Sequence, residues 1–99
     1  MSFVSMTSKE IAELTGKELN HVNRDIKIML EQLKVVDPNL DSMYKTVTYK
    51  QKVGFGERDN KMYYLNKRLT LILTSGYSIQ LRTKIIDRWQ ELENKQTKL

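Results

Sequence analysis

At 99 residues, with a net charge of +5 and a pI near 9.5, the chain suits one small domain with a modest core and a polyanionic partner. It has no cysteine and one histidine, which excludes disulfides, thiolate metal sites and multi-histidine metal sites. No apolar run reaches membrane-span length and no secretory signal is visible, so a cytoplasmic protein without a membrane partner is expected.

Phe3 to Met6 is compatible with a short strand or with a frayed terminus. Thr7-Ser8-Lys9-Glu10 then has the form of a capping box. The Thr7 hydroxyl can accept from the Glu10 amide, and the Glu10 carboxylate can reach back to the Thr7 amide. Ile11, Ala12 and Leu14 form the apolar side of a short helix, and Gly16 stops it. A second helix is predicted from about Glu18 to Val35. Leu19, Val22, Ile26, Met29, Leu30 and Leu33 recur at steps of three and four and lay one apolar stripe along it. Asn20, His21, Asn23, Arg24 and Lys27 lie on its other face, residue types that reach base edges or phosphates when a helix occupies a major groove. Two helices around a Gly-containing turn form the helix-turn-helix pattern. An ordinary helical hairpin in a small globular domain has the same pattern.

Pro38 prevents the second helix from continuing, and Asp37, Asn39, Asp41 and Ser42 fill a turn. Met43 to Lys50 is rich in Thr, Val and Tyr and reads as a strand, which Gln51 and Lys52 extend. Gly54 to Asn60 reads as a loop, and Met62 to Leu65 as the returning strand. The hairpin carries Lys45, Lys50, Lys52, Arg58 and Lys61. The middle of the chain holds most of the positive charge: residues 43–68, which include Lys67 and Arg68, are net +5, whereas residues 1–42 are net −2 and residues 69–99 net +2. In a winged-helix domain such a hairpin is the wing, and its cations grip phosphates with strong salt dependence. Edge lysines also serve simply to prevent aggregation. Phe55, between two glycines, is either a base-stacking tip or part of a small local core.

Asn66 is a good N-cap for a third, largely apolar and buried helix containing Leu69, Leu71, Ile72 and Leu73. Lys67 and Arg68 occupy its first turn, where the helix dipole disfavours cations, which hints at an outside role such as a phosphate contact. Gly76 is expected to end that helix and Ser78 to cap a fourth, at about residues 79–94. Leu81, Ile85, Ile86, Trp89 and Leu92 form its apolar stripe, Glu91 and Lys95 are suitably spaced to pair, and Lys95 to Leu99 form a tail. The expected fold is an α+β, winged-helix-like single domain over 1–99, in the order (β)ααββαα.

From Thr7 onward the sequence resembles the phage regulatory protein Rha family. Ser8 to Lys17 resembles a Ser-x-x-Ile-Ala-x-x-x-Gly-Lys stretch, and Val22-Asn23-Arg24-Asp25-Ile26 resembles a Val-x-Arg-Asp-Ile core. The most specific stretch runs from Tyr64-Leu65-Asn66-Lys67-Arg68 through Ser75-Gly76-Tyr77-Ser78 to Ile85-Ile86-Asp87-Arg88-Trp89-Gln90-Glu91-Leu92-Glu93. Leu19 replaces a frequent His and Asn20-His21 a more basic or Asn-ending pair, so the second helix is less basic than the family pattern.

The resemblance implies a DNA-binding transcription regulator of a phage or prophage, acting in the cytoplasm of the bacterial host. The unit often precedes a second domain, as in phage antirepressors. On this expectation Lys17, Asn20, His21, Asn23, Arg24, Lys27, Lys45, Lys50, Lys52, Arg58 and Lys61 contact double-stranded DNA, and a homodimer would double the contacts on a palindromic site. The alternative is a protein-binding inhibitor or adaptor acting on a phage or host protein, motivated by the near-neutral helical half. No enzyme activity and no cofactor are expected, because no Cys/His pair and no phosphate-binding Gly loop between strand and helix is present.

Overall fold

The computed structural model describes residues 4–97, apart from the side chains of 95–97. The elements are β1 (Met6–Thr7), α1 (Ser8–Thr15), α2 (Leu19–Leu33), a 3₁₀ turn (Leu40–Ser42), β2 (Tyr44–Val53), β3 (Gly56–Leu65), α3 (Lys67–Thr74) and α4 (Ile79–Thr97). They form an α+β fold with four helices and a three-stranded antiparallel sheet in the order β1-β3-β2. No helix among the described residues is long and apolar enough to cross a membrane.

The helix boundaries follow local chemistry. Thr7 caps α1 by accepting from the Glu10 amide at 3.0 Å. The Glu10 carboxylate, expected to complete the capping box, instead faces Arg88 Nε of α4 at 2.6 Å. Gly16, at φ 73°, ends α1 with its N–H on the Ala12 carbonyl. Asn66 Oδ1 caps α3 on the Leu69 amide at 2.9 Å, and Ser78 Oγ accepts from Leu81 at 3.3 Å. Gly76 does not adopt the left-handed conformation expected of it: α3 ends at Ser75, whose hydroxyl donates to the Ile72 carbonyl at 2.7 Å.

The core forms where the helices close on one face of the sheet. Met6, Tyr63 and Leu65 from the strands meet Ile11 and Ala12 of α1, Val22, Ile26, Met29 and Leu30 of α2, Leu69 and Leu73 of α3, and Ile85 and Trp89 of α4. The buried hydroxyls have partners. Ser8 Oγ accepts from the Tyr63 amide at 3.1 Å, and Thr70 and Thr74 donate to carbonyls one helical turn earlier. Leu71 and Ile86, expected to be apolar core positions, are 37% and 43% exposed. α4 extends past the expected Asn94 to Thr97, so three residues of the anticipated tail are helical. Of the N-terminal strand only Met6 falls within β1, and Phe3 lies outside the described residues, as does the Lys95 side chain expected to pair with Glu91.

The largest departure from expectation is the hairpin. Residues 54–60 do not form a loop. β2 continues to Val53, β3 restarts at Gly56, and only Gly54 and Phe55 connect them. Gly54 sits at φ 59°, the positive φ demanded by a tight two-residue hairpin with Gly at its first central position. Ten residue pairs then run in register from Val53↔Gly56 to Tyr44↔Leu65. Cross-strand polar pairs hold the outer half, including Lys50 with Asp59 at 3.6 Å, Lys52 opposite Glu57, and an Asn60 amide donating to Gln51.

Candidate nucleic-acid interface

α2 lies along the hairpin, and its position fixes which side chains converge. The apolar stripe turns Val22, Ile26, Met29 and Leu30 into the core. Asn20, His21, Arg24 and Lys27 remain exposed on the opposite arc. Asn23 does not join them. It stands four residues after Leu19 and three before Ile26, at the border of the stripe, and its Nδ2 donates to the Lys61 carbonyl of β3 at 2.9 Å. Its Oδ1 is buried with no partner among the described residues. Asn23 therefore ties α2 to the hairpin rather than facing outward.

The seam between α2 and the hairpin opens at both ends. Near the start of α2, Asn20, Lys50, Gln51, Arg58 and Asn60 line a cleft together with Lys9 and Glu18. At the other end Lys27, Lys34 and Lys61 line a groove with Glu31, Asp37 and Asp41. The two ends differ electrostatically. Three cations and one carboxylate line the first, where Asp59 also meets Lys50 at 3.6 Å and leaves a net positive charge, whereas cations and carboxylates balance in the second. The electropositive end is thus where the N-terminus of α2 meets the outer hairpin. No side chain caps that N-terminus, and its first turn holds no acidic residue, so its amides add to the positive field.

The other expected contact residues divide. Arg24 stays on the open arc, with Asp25 3.8 Å from its Nε. Lys52 is exposed near the hairpin tip, and Lys45 is exposed at its base on the opposite face from Lys50 and Lys61. Lys17 turns away from the seam, with its ammonium 4.7 Å from the centre of the Tyr77 ring. Burial, reinforced by the Asp25 charge, holds the Tyr77 phenol above its ordinary pKa.

Lys67 and Arg68 have a structural explanation. Lys67 bonds both carboxylate oxygens of Glu93 on α4, and Arg68 meets Asp37 at 2.6 Å, closing α3 onto the segment after α2. These partners account for the two cations in the first turn of α3.

Two residues of the seam escaped the sequence reading. Lys34 follows Lys27 by seven residues, hence on the same stripe, which is a signal the sequence contained. Lys9 reaches the electropositive cleft from α1, a placement that only the packing of α1 beside the hairpin creates.

Neither the search of curated proteins nor that of solved structures found a match. A family model described as phage regulatory protein Rha matches residues 6–94, from β1 through nearly all of α4. The chain belongs to the phage regulatory protein Rha family.

Proposed function

We propose that this chain is a DNA-binding domain of a phage or prophage transcription regulator, with α1 and α2 acting as a helix-turn-helix and the β2–β3 hairpin as a wing. The element order and the β1-β3-β2 sheet suit that architecture. The observation that carries the proposal is the electropositive cleft between the start of α2 and the outer hairpin. The first half of α2 enters the major groove, where Asn20, His21, Arg24 and Lys27 face base edges and phosphates. Lys50, Lys52, Arg58 and Lys61 hold the flanking backbone, supplying affinity without sequence preference. Asn23 serves by fixing the angle between helix and wing.

Fluorescence anisotropy of the purified chain tests the proposal, against a mixed duplex pool and against DNA from its own locus, at low and physiological salt. Binding that persists at physiological salt and prefers its own locus is expected. Asn20→Ala, which changes no charge, should reduce that preference while leaving the salt slope intact. Binding that vanishes with salt and shows no preference contradicts the proposal.

A protein-contact role has its own supporting observation. Ile28 on α2 is 48% exposed beside a groove lined by Asp25, Ile72 and Tyr77, on the near-neutral side of the molecule. That reading gains if duplex binding is only background attraction and a phage or host protein is captured through this groove.

A further inference from the structure

The tip of the hairpin carries a feature that phosphate binding does not use. Phe55 is fully exposed, at 112% of the reference for its residue type, and Val53 before the turn is 47% exposed. The ring therefore does not fold back onto a local core. The turn does not require it either: Gly54 supplies the positive φ, and a small polar residue fits the second central position of such a turn. Gly54 and Gly56 on either side have no atoms within 4 Å of where a Cβ would lie, so the ring stands clear on a slim support. Behind it, Lys50, Lys52 and Arg58 share the end of the hairpin with Glu57 and Asp59, three cations against two carboxylates. An apolar ring leading a ribbon with a small excess of exposed cations complements a narrow groove with stacked bases at its floor and phosphates along both walls.

We infer that Phe55 is an apolar wedge that enters a base step of duplex DNA from the minor groove, unstacking it and bending the helix at the wing. The inference rests on the DNA-binding proposal above and adds to it a deformation of the DNA, hence a preference for flexible pyrimidine–purine steps. Lys52 and Arg58 neutralise the phosphates that the ring passes between, while α2 occupies the adjacent major groove.

The test uses the full chain with a short duplex carrying a central TA step, 2-aminopurine beside that step, and a donor–acceptor dye pair on its ends. Wild type is expected to brighten the 2-aminopurine and shorten the end-to-end distance. Phe55→Leu keeps an apolar wedge and should retain both signals. Phe55→Ser should lose both and bind about tenfold more weakly with the same salt slope. Because the ring packs against nothing, both variants should melt like wild type. If Phe55→Ser binds and bends the duplex as wild type does, or if wild type binds without bending, the wedge is overturned while DNA binding stands. If wild type fails to bind any duplex, both proposals fall.

Discussion

The body of the molecule and the outer half of its hairpin follow opposite rules. In the body, apolar side chains from β1, β3 and all four helices converge on one core, and three cations of α3 and α4 are engaged internally. Lys67 pairs with Glu93, Arg68 with Asp37, and Arg88 with Glu10 at 2.6 Å. In the outer hairpin every residue from Lys50 to Asp59 is exposed, and backbone pairing with cross-strand polar contacts holds the ribbon. An isolated two-stranded ribbon is marginal in water. Asn23 and the packed base, where Tyr63 and Leu65 are buried, therefore anchor this one. A packed body thus presents a thin, exposed and charged arm.

Truncation should separate the two regions most sharply. Trp89→Ala removes a nearly fully buried ring at the junction of α4 with the core, and should lower stability by about 3–5 kcal/mol. Val53→Ala in the outer hairpin should stay within about 0.5 kcal/mol of wild type. Chemical denaturation of both variants checks the contrast, and comparable losses would mean that the hairpin is part of the core after all.

Arg88 offers a smaller test of how the body uses its charges. Its guanidinium and the Glu10 carboxylate are 27% and 28% exposed, and the contact joins α1 to α4 across 78 residues of sequence. The hydrogen bond and charge of Glu10 hold the Arg88 pKa above its usual value. Arg88→Gln should cost about 1 kcal/mol, and a double-mutant cycle with Glu10→Gln should show the two losses to be coupled.

The smallest expected effect is the pH response of the buried phenols. Burial raises the pKa of Tyr63 and Tyr77 above the ordinary 10.0, with Tyr44 adding at the first and Asp25 at the second. The folded state thus favours the neutral phenol. Their contribution is complete below pH 10 and is lost as pH rises past it toward the folded-state values. The Tyr77 hydroxyl is buried without a partner among the described residues. Tyr77→Phe should therefore be neutral or up to about 1 kcal/mol stabilising at pH 7, and should flatten the alkaline decline in melting temperature. Unchanged alkaline behaviour would mean that Tyr77 titrates freely.

The contrast between the regions also explains what the sequence revealed. The helices were legible because each buries a stripe with a 3.6-residue period, and because Thr7, Gly16, Asn66 and Ser78 mark ends by local chemistry. The strand β2 was legible from its Thr, Val and Tyr content, but the outer part of β3 was not, because a strand exposed on both faces has no alternation to show. Gly56, Asp59 and Asn60 are turn-forming residues that the ladder places inside β3. Ile86 was misassigned because α4 buries a narrower stripe than its composition suggests. For the site, the basic content of the hairpin and the open arc of α2 were readable. The withdrawal of Lys17 to Tyr77 was not, because that contact closes only when the helices pack. Asn23 could have been recognised from its spacing relative to Leu19 and Ile26.

The division of labour between arm and body is tested most directly by the salt dependence of duplex binding in two charge-removal variants. Lys50→Ala/Lys52→Ala/Lys61→Ala removes cations of the hairpin, and Lys67→Ala/Arg68→Ala removes cations engaged within the body. With both variants confirmed as folded, the hairpin variant should flatten the slope of log affinity against log salt, by up to about one unit per lysine. The body variant should keep the wild-type slope. Equal slopes in the hairpin variant and wild type would contradict the assignment of the hairpin as the phosphate-gripping arm.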